Sequence, residues 1–365
     1  MIEQLRRRAA THTLFAPVDV PSAVAALGFV QIDPIARPAP AQDLILRHRV
    51  AGYRAGDLQA AYPSADLEEG TLHVYGVMPR STWCGLGPLP AQPPLDEVQR
   101  AVLAVVRSNG PTQTGALAAA LGSARVRNAW GGTSRATTVA LETLHWRGLL
   151  RVSGRLGGGR VYAAAFPRPE RDPVQRLAAV AEVLAGLFAP AQCSALRSML
   201  SRLGRRLCGR RTPAWGPSAI QGLCDHGGYR RCTVDRVDYL VPQTAVAPVP
   251  DAVRILAPFD PVVHCRARFE HLFGWRYRFE AYTPVAKRVR GYYAMPMLWR
   301  DQVIGWTNAT RTGGAWSLAH GFLAGRPRER AFAAALAAEE VALLAAVATP
   351  AGALDTGSKT PGDPR

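Results

Sequence analysis

The sequence predicts an α+β fold: tandem units of three helices closed by a β-hairpin, then a C-terminal antiparallel β-rich domain and a terminal helix. Three observations predict it. Apolar residues recur at helical spacing over 95–167 and again over 170–245, and the first of these stretches ends in short runs of strand character. Proline and glycine clusters at 85–94, 166–169 and 242–250 cut the chain into blocks of domain size. Beyond residue 250 the period shortens, and aromatic and β-branched residues fill 269–282 and 290–306.

The first unit, residues 1–90, contains F-V-Q-I-D-P-I at positions 29–35. If this stretch is extended, Val30 and Ile32 face one way while Gln31 and Asp33 face the other, with Cα atoms about 6–7 Å apart. An amide and a carboxylate would then share one water, and Pro34 would end the strand. The same residues also read as a helix start, with Asp33 as N-cap, Pro34 at N1 and Gln31 merely exposed. Further on, Asp66, Glu68 and Glu69 in A-D-L-E-E-G read as a helix-terminal or surface acid group, and Asp43 falls in a helix after the motif.

The second unit, 95–167, is the most legible. Asp96 caps a helix carrying Val98, Val102, Leu103, Val105 and Val106, stopped by Asn109-Gly110-Pro111. Thr114 opens a short helix through Leu117 and Leu121, ending at Gly122. A third carries Val139, Leu141, Leu144 and Trp146. Leu149–Val152, a basic glycine-rich turn and Val161–Phe166 form the hairpin. Three helices and a hairpin make a winged helix, whose third helix presents its start to DNA. Ser134, Arg135, Thr137 and Thr138 lie there, and Arg155 and Arg160 of the wing suit phosphate.

The third unit, 170–245, repeats the outline, with helices at 174–188, 191–203 and from Ser218. Its basic run, Arg202, Arg205, Arg206, Arg210 and Arg211, reads either as a solvated loop or as a phosphate clamp that adds affinity without reading sequence. The β-rich domain spans 251–348, with a turn at Trp299–Gln302 and an alanine-rich helix over 326–347. Residues 349–365 form a polar tail expected to be disordered.

Lys and Arg number 44 against 27 Asp and Glu, a formal charge of +17 carried almost wholly by arginine. Arginine suits forked contacts with phosphate, so double-stranded DNA is the first partner to expect, although a GC-rich coding bias enriches the same residue. The six cysteines lack metal-ligand spacing, and no phosphate-loop motif occurs, so no metal or cofactor is expected. With no signal peptide and no apolar span, the expectation is a cytoplasmic, nucleoid-associated monomer.

The motif then gains context. L-G-F-V-Q-I-D-P-I and A-Q-D-L-I-L-R-H-R-V-A-G-Y (41–53) resemble the first catalytic segment of the AlkZ/YcaQ-type DNA glycosylases, tandem winged-helix proteins that excise alkylated or crosslinked bases. Their signature is Gln-x-Gln or Gln-x-Asp, and Gln31-Ile32-Asp33 matches the second form. A-P-F-D-P-V-V (257–263), R-F-E-H-L-F-G-W-R-Y (268–277), E-A-Y-T-P-V-A-K-R (280–288) and G-Y-Y-A-M-P (291–296) resemble the family's C-terminal domain. Two segments depart from the family pattern. Leu72–Pro79 stands where an acidic-aromatic E-Y-W-A-H-like stretch is usual, and Gly305-Trp306-Thr307-Asn308 where G-R-x-D is usual.

The resemblance implies a monofunctional glycosylase, with Asp33 activating water and stabilising the oxocarbenium while Gln31 orients the water. His73 and Tyr75 would border a lesion pocket, or else belong to the core. Lys287 and Arg288 would join the DNA-binding surface. The lysine nearest the motif in sequence is Lys287, which argues against a Schiff-base route. Two other classes compete: a non-catalytic winged-helix DNA-binding regulator, and a scaffold whose charge reflects only coding bias.

Overall fold

The computed structural model describes residues 1–62, 65–87, 92–122, 124–127, 131–157, 159–209 and 215–348. Arg210, Arg211 and the tail from 349 therefore lie outside the described residues. The first part of the chain forms α1 (Ile2–Thr11), α2 (Val20–Leu27), β1 (Val30–Gln31), α3 (Ala41–Leu46), α4 (Asp57–Ala61), β2 (Leu67–Thr71), β3 (Tyr75–Pro79) and α5 (Arg80–Gly85). Next come α6 (Glu97–Asn109), β4 (Thr112–Gln113), α7 (Thr114–Leu121), β5 (Arg125–Arg127), β6 (Thr133–Arg135), α8 (Ala136–Trp146), β7 (Leu150–Leu156) and β8 (Gly159–Ala164). They are followed by α9 (Pro173–Leu187), β9 (Ala191–Gln192), α10 (Cys193–Cys208), α11 (Trp215–Asp225), β10 (Tyr229–Val234) and β11 (Val237–Pro242).

One connectivity recurs through these elements, helix, short strand, two helices and hairpin, with the β5-β6 pair inserted between the second and third helices of the second unit. Each short strand pairs with the last strand of its hairpin, giving antiparallel sheets ordered β1-β3-β2, β4-β8-β7 and β9-β11-β10. Local chemistry explains the helix starts. Asp96 and Gln99 close a capping box on α6, and Asp172 caps α9 with Pro173 in its first turn. The apolar stripes then bury Val102, Leu103 and Val106 on α6, and Leu177, Val180 and Leu184 on α9.

Helix α1 stands outside the repeat and packs Leu5 and Ala9 against Tyr239, Val241 and Leu272.

The last part contains β12 (Val253–Ile255), α12 (Pro261–His264), α13 (Arg266–Phe273), a 3₁₀ turn at Val285–Lys287, β13 (Met295–Trp299), β14 (Gln302–Thr312), β15 (Ala315–Phe322) and α14 (Arg330–Val347). Strands β12 to β15 form one antiparallel sheet in chain order, and α14 buries Phe332 and Leu336 on Val253, Met297 and Trp299.

The strand expected over 269–282 is absent. Phe269, Leu272 and Phe273 fall on one helical face instead, and Gly274, at φ +70°, provides the left-handed residue that ends α13. Strand β15, unanticipated, follows a Gly313-Gly314 turn in which both residues have positive φ.

Much of the arginine surplus ties these parts together. Arg151 and Arg80 bind Glu68, while Arg155 and Arg160 bind Glu69, joining β7 and β8 to β2. Arg47 reaches Glu339 and the Ile255 carbonyl, and Arg49 pairs with Asp260 through two bonds of 2.8 and 3.1 Å. Arg268, fully buried, donates to the carbonyls of Phe188, Ala189, Pro261 and Val262. These contacts fix the first repeat and the third against the C-terminal sheet and its helices. Among the described residues no helix is long and apolar enough to cross a membrane.

Candidate active site

Strand β1 pairs Val30 with Val77 and Gln31 with Gly76, and the Ile32 N–H continues the ladder by donating to the Tyr75 carbonyl at 3.1 Å. Gly76 is required there, since a Cβ would collide with the Val30 carbonyl and the Phe29 ring. The segment is thus extended through Ile32. No helix starts at Pro34: Asp33 Oδ1 accepts the Ile35 N–H at 3.0 Å, a local turn rather than an N-cap.

Gln31 lines a narrow cavity with Phe29, His73, Phe188, Phe259 and His264, which has room for about one water. Among the described residues, Gln31 Oε1 and His73 Nδ1 are buried without a hydrogen-bond partner. Both atoms are left with hydrogen-bonding capacity directed into the cavity or its walls. Burial first, then the neighbouring His264 and Arg202, pushes His73 down to about 3. Burial and the nearby Arg266 and Arg268 push His264 down to about 4. Both rings are therefore neutral at physiological pH, and they meet edge-on at 5.1 Å.

Asp33 does not line this cavity; a run of aromatic rings extends from Phe259 at the cavity to Tyr293, which feels the Asp33 charge. Phe259 contacts Phe279 at 5.0 Å, Phe279 contacts Tyr293 at 5.4 Å, and the Tyr293 hydroxyl is held in its neutral form by burial and by the Asp33 charge. Asp33 itself is partly buried. Burial raises its pKa above the ordinary carboxylate value, with the Ile35 N–H pulling the other way. It forms no ion pair with the described residues.

Two arginines lie over the ring of Tyr292, the chain neighbour of Tyr293. Arg37 lies over the Tyr292 ring at 6.0 Å and Arg288 over the same ring at 5.0 Å. The loop that carries Lys287 and Arg288 is fastened by Glu280 Oε2, which accepts the N–H groups of Val289, Arg290 and Gly291 at 2.8–3.1 Å. Burial opposes the charge of Glu280, but those three N–H bonds outweigh it and hold its pKa low. Glu280→Gln should weaken this anchor, and we expect earlier protease cleavage within 281–290, measured by limited proteolysis and mass spectrometry.

Sequence reading misses Arg37 and His264. Arg37 follows Asp33 by four positions and carries no pattern of its own, while His264 is distant in the chain and reaches Gln31 only through tertiary packing.

Several expected DNA contacts are placed differently. Arg155 and Arg160 point inward to Glu69, because that carboxylate is buried on β2 and needs compensation. Thr137 is 2% exposed and faces the interior of its repeat. Arg206 turns inward and donates to the Leu72 carbonyl at 3.1 Å. Arg135 and Thr138 remain at the start of α8, Arg135 exposed, and Arg205 and Lys287 are exposed as well.

Of the expected pocket residues, His73 joins Gln31. The Tyr75 hydroxyl instead donates to Glu69 at 2.6 Å. The acid group read as surface or helix-terminal divides: Asp66 is at the surface, paired with Arg80, whereas Glu68 and Glu69 lie on β2 at 1% exposure. Burial works against the charge of Glu69, but Arg155, Tyr75 and Arg160 together hold its pKa low. Asp43 is likewise committed, accepting from the Tyr53 hydroxyl at 2.6 Å and the Gly56 N–H at 3.2 Å.

In the second departure from the family pattern, Asn308 Nδ2 donates to the Arg290 carbonyl at 2.7 Å. A carboxylate there could only face that carbonyl as a second acceptor.

The chain is strongly basic, built of repeated helix–hairpin units, and holds a partly buried carboxylate, Asp33, and a buried amide, Gln31, near a run of aromatic rings. The family model described as DNA glycosylase AlkZ-like matches residues 24–346, and the chain belongs to that family of DNA glycosylases. DNA is accordingly its partner and DNA repair its setting. No solved structure matches the chain.

Proposed function

We propose that the protein is a monofunctional glycosylase that hydrolyses the N-glycosidic bond of N7-alkylated or crosslinked purines in duplex DNA. An N7-alkylated guanine is already cationic, so it departs without being protonated. What the protein must supply is stabilisation of the cationic sugar and a placed water.

The observation that carries this reading is Asp33: a partly buried carboxylate with one oxygen held by the Ile35 N–H and no cationic partner among the described residues. It attracts the oxocarbenium and accepts the water's proton. The Gln31 amide both donates and accepts, which lets it orient that water. Neutral His73 and His264 add no positive charge beside the reacting sugar.

The repeated units act as winged helices in this reading, with Arg135, Thr138 and Arg205 meeting phosphate, and Arg37, Lys287 and Arg288 forming the rim over the damaged nucleotide. Duplex affinity should then fall with salt at a log–log slope of roughly −0.9 per phosphate neutralised. A slope near zero in a salt titration would remove DNA-backbone recognition from the proposal.

The decisive assay uses purified protein and duplex DNA bearing N7-methylguanine, with release of free base as the readout. Gln31→Ala is expected to slow release by about 10²-fold while leaving duplex affinity unchanged, in line with the worth of one positioned polar group. Distance along the chain does not by itself exclude a Schiff base at Lys287. Borohydride reduction during turnover settles that step: no covalent protein–DNA adduct is expected, and an adduct would make the enzyme bifunctional.

A further inference from the structure

A second cavity, of about 390 Å³, lies between the first, second and third repeats at the β2 edge of the first sheet, away from Gln31 on β1. Three guanidinium groups line it: that of Arg160 is paired with Glu69, and those of Arg168 and Arg206 stand apart from it. Arg206 is largely buried; among the described residues its Nε lacks any partner, and its Nη1 donates to the Leu72 carbonyl. Arg168 crosses the Trp83 ring at 4.4 Å and donates to the Arg147 carbonyl at 3.3 Å. It passes so close to Gly148 that a Cβ there would collide with the guanidinium.

Neither arginine forms an ion pair with a carboxylate among the described residues. This contrasts with Arg47, Arg49, Arg151 and Arg155, each of which is buried on an acid. Burying two neighbouring cations with no counter-charge is costly, and proteins rarely leave that cost unanswered. Burial and the adjoining Arg168 push Arg206 down to about 10, as expected of a cation that lacks an anion.

The rest of the lining is aromatic. Trp146 is 46% exposed at the mouth, with His145 and Tyr75 behind it. An exposed indole beside buried guanidinium groups is a stacking platform next to a phosphate seat. Glu142, exposed on the same rim, is the type of acceptor that takes sugar hydroxyls. The volume lies within the range of small-molecule sites. The geometry points to a binding site for a free nucleoside phosphate, its phosphate on Arg168 and Arg206 and its base on Trp146.

The test is calorimetric titration of the full chain, without DNA, with ADP, adenosine and inorganic phosphate. ADP should bind at least about tenfold more tightly than either of the others, one decade corresponding to about 1.4 kcal/mol. Arg168→Gln and Arg206→Gln should each weaken ADP about tenfold and leave adenosine unchanged, whereas Trp146→Ala should weaken both. Arg168→Gln keeps the test open should Arg206→Gln fail to fold, as judged by its thermal melt. The proposal is overturned if ADP binds no better than adenosine, or if phosphate alone matches ADP. It is equally overturned if stoichiometric undamaged duplex displaces ADP, which would make the cavity part of the DNA track.

Discussion

Asp33→Asn is expected to reduce release of N7-methylguanine by about 10²–10⁴-fold, the span typical of a lost general base, while duplex affinity holds or rises. Two further readouts separate a chemical role from a structural one. Because the folded pKa of Asp33 lies above its unfolded value, the native state favours the protonated carboxyl. The native chain thus binds more protons there than the unfolded chain, so this group's contribution to stability declines as pH rises through its folded pKa. At neutral pH Asp33 is a net cost to the fold, and the asparagine variant should melt at a higher temperature than wild type. The same shift places the acidic limb of the pH–rate profile above the ordinary carboxylate value of about 3.9. That limb should vanish in Asp33→Asn. A variant that melts lower, or that retains both rate and limb, would assign the water to another group.

How far the chain could be read before its structure was known follows from where the information resides. The helices α6 and α9 announced themselves through caps and stripes, because capping bonds and burial are local to a few turns. Strands β1, β4 and β9 are two residues long, too short for any alternation to register, yet they close each repeat by pairing with the hairpin. The helix α13 carries a strand-like signal because Phe269, Phe273, Trp275 and Tyr277 enrich the window in aromatic residues, which strands and buried helices share.

Gln31 and Asp33 were legible because an amide and a carboxylate in an apolar run break the local pattern. Their surroundings were not. His264, Phe259 and Tyr293 arrive from more than 220 residues away, and nothing in their own neighbourhoods records that destination. The wing arginines show the converse error. Positive charge beside glycine is the pattern of a phosphate contact, and only the fold reveals that Glu69 is buried opposite.

The largest stability effect should come from the contact that holds this arrangement together. Arg49, just beyond α3, and Asp260, at the start of α12, are each 0% exposed and bound to one another through two bonds. Arg49 also donates to the carbonyls of Thr13 and Ile45, and Asp260 caps α12 through the Val262 N–H. One side of the pair belongs to the repeat that carries Gln31 and Asp33, the other to the part that supplies Phe259, His264 and Tyr293. Asp260→Ala leaves a buried guanidinium without its counter-charge, and removing one partner of such a pair typically costs about 3–5 kcal/mol. We expect a loss of that order in urea unfolding. We also expect base release to fall at temperatures where the variant is still folded, since the run of aromatic rings would no longer be registered against Asp33. The double variant Arg49→Met/Asp260→Leu removes both charges and should recover much of the stability, because apolar replacements of a buried pair are often neutral. Recovery of stability without recovery of rate would show that the pair sets the site's geometry. A loss below about 1 kcal/mol in the single variant would instead be the behaviour of a solvent-exposed pair, and would place the junction elsewhere.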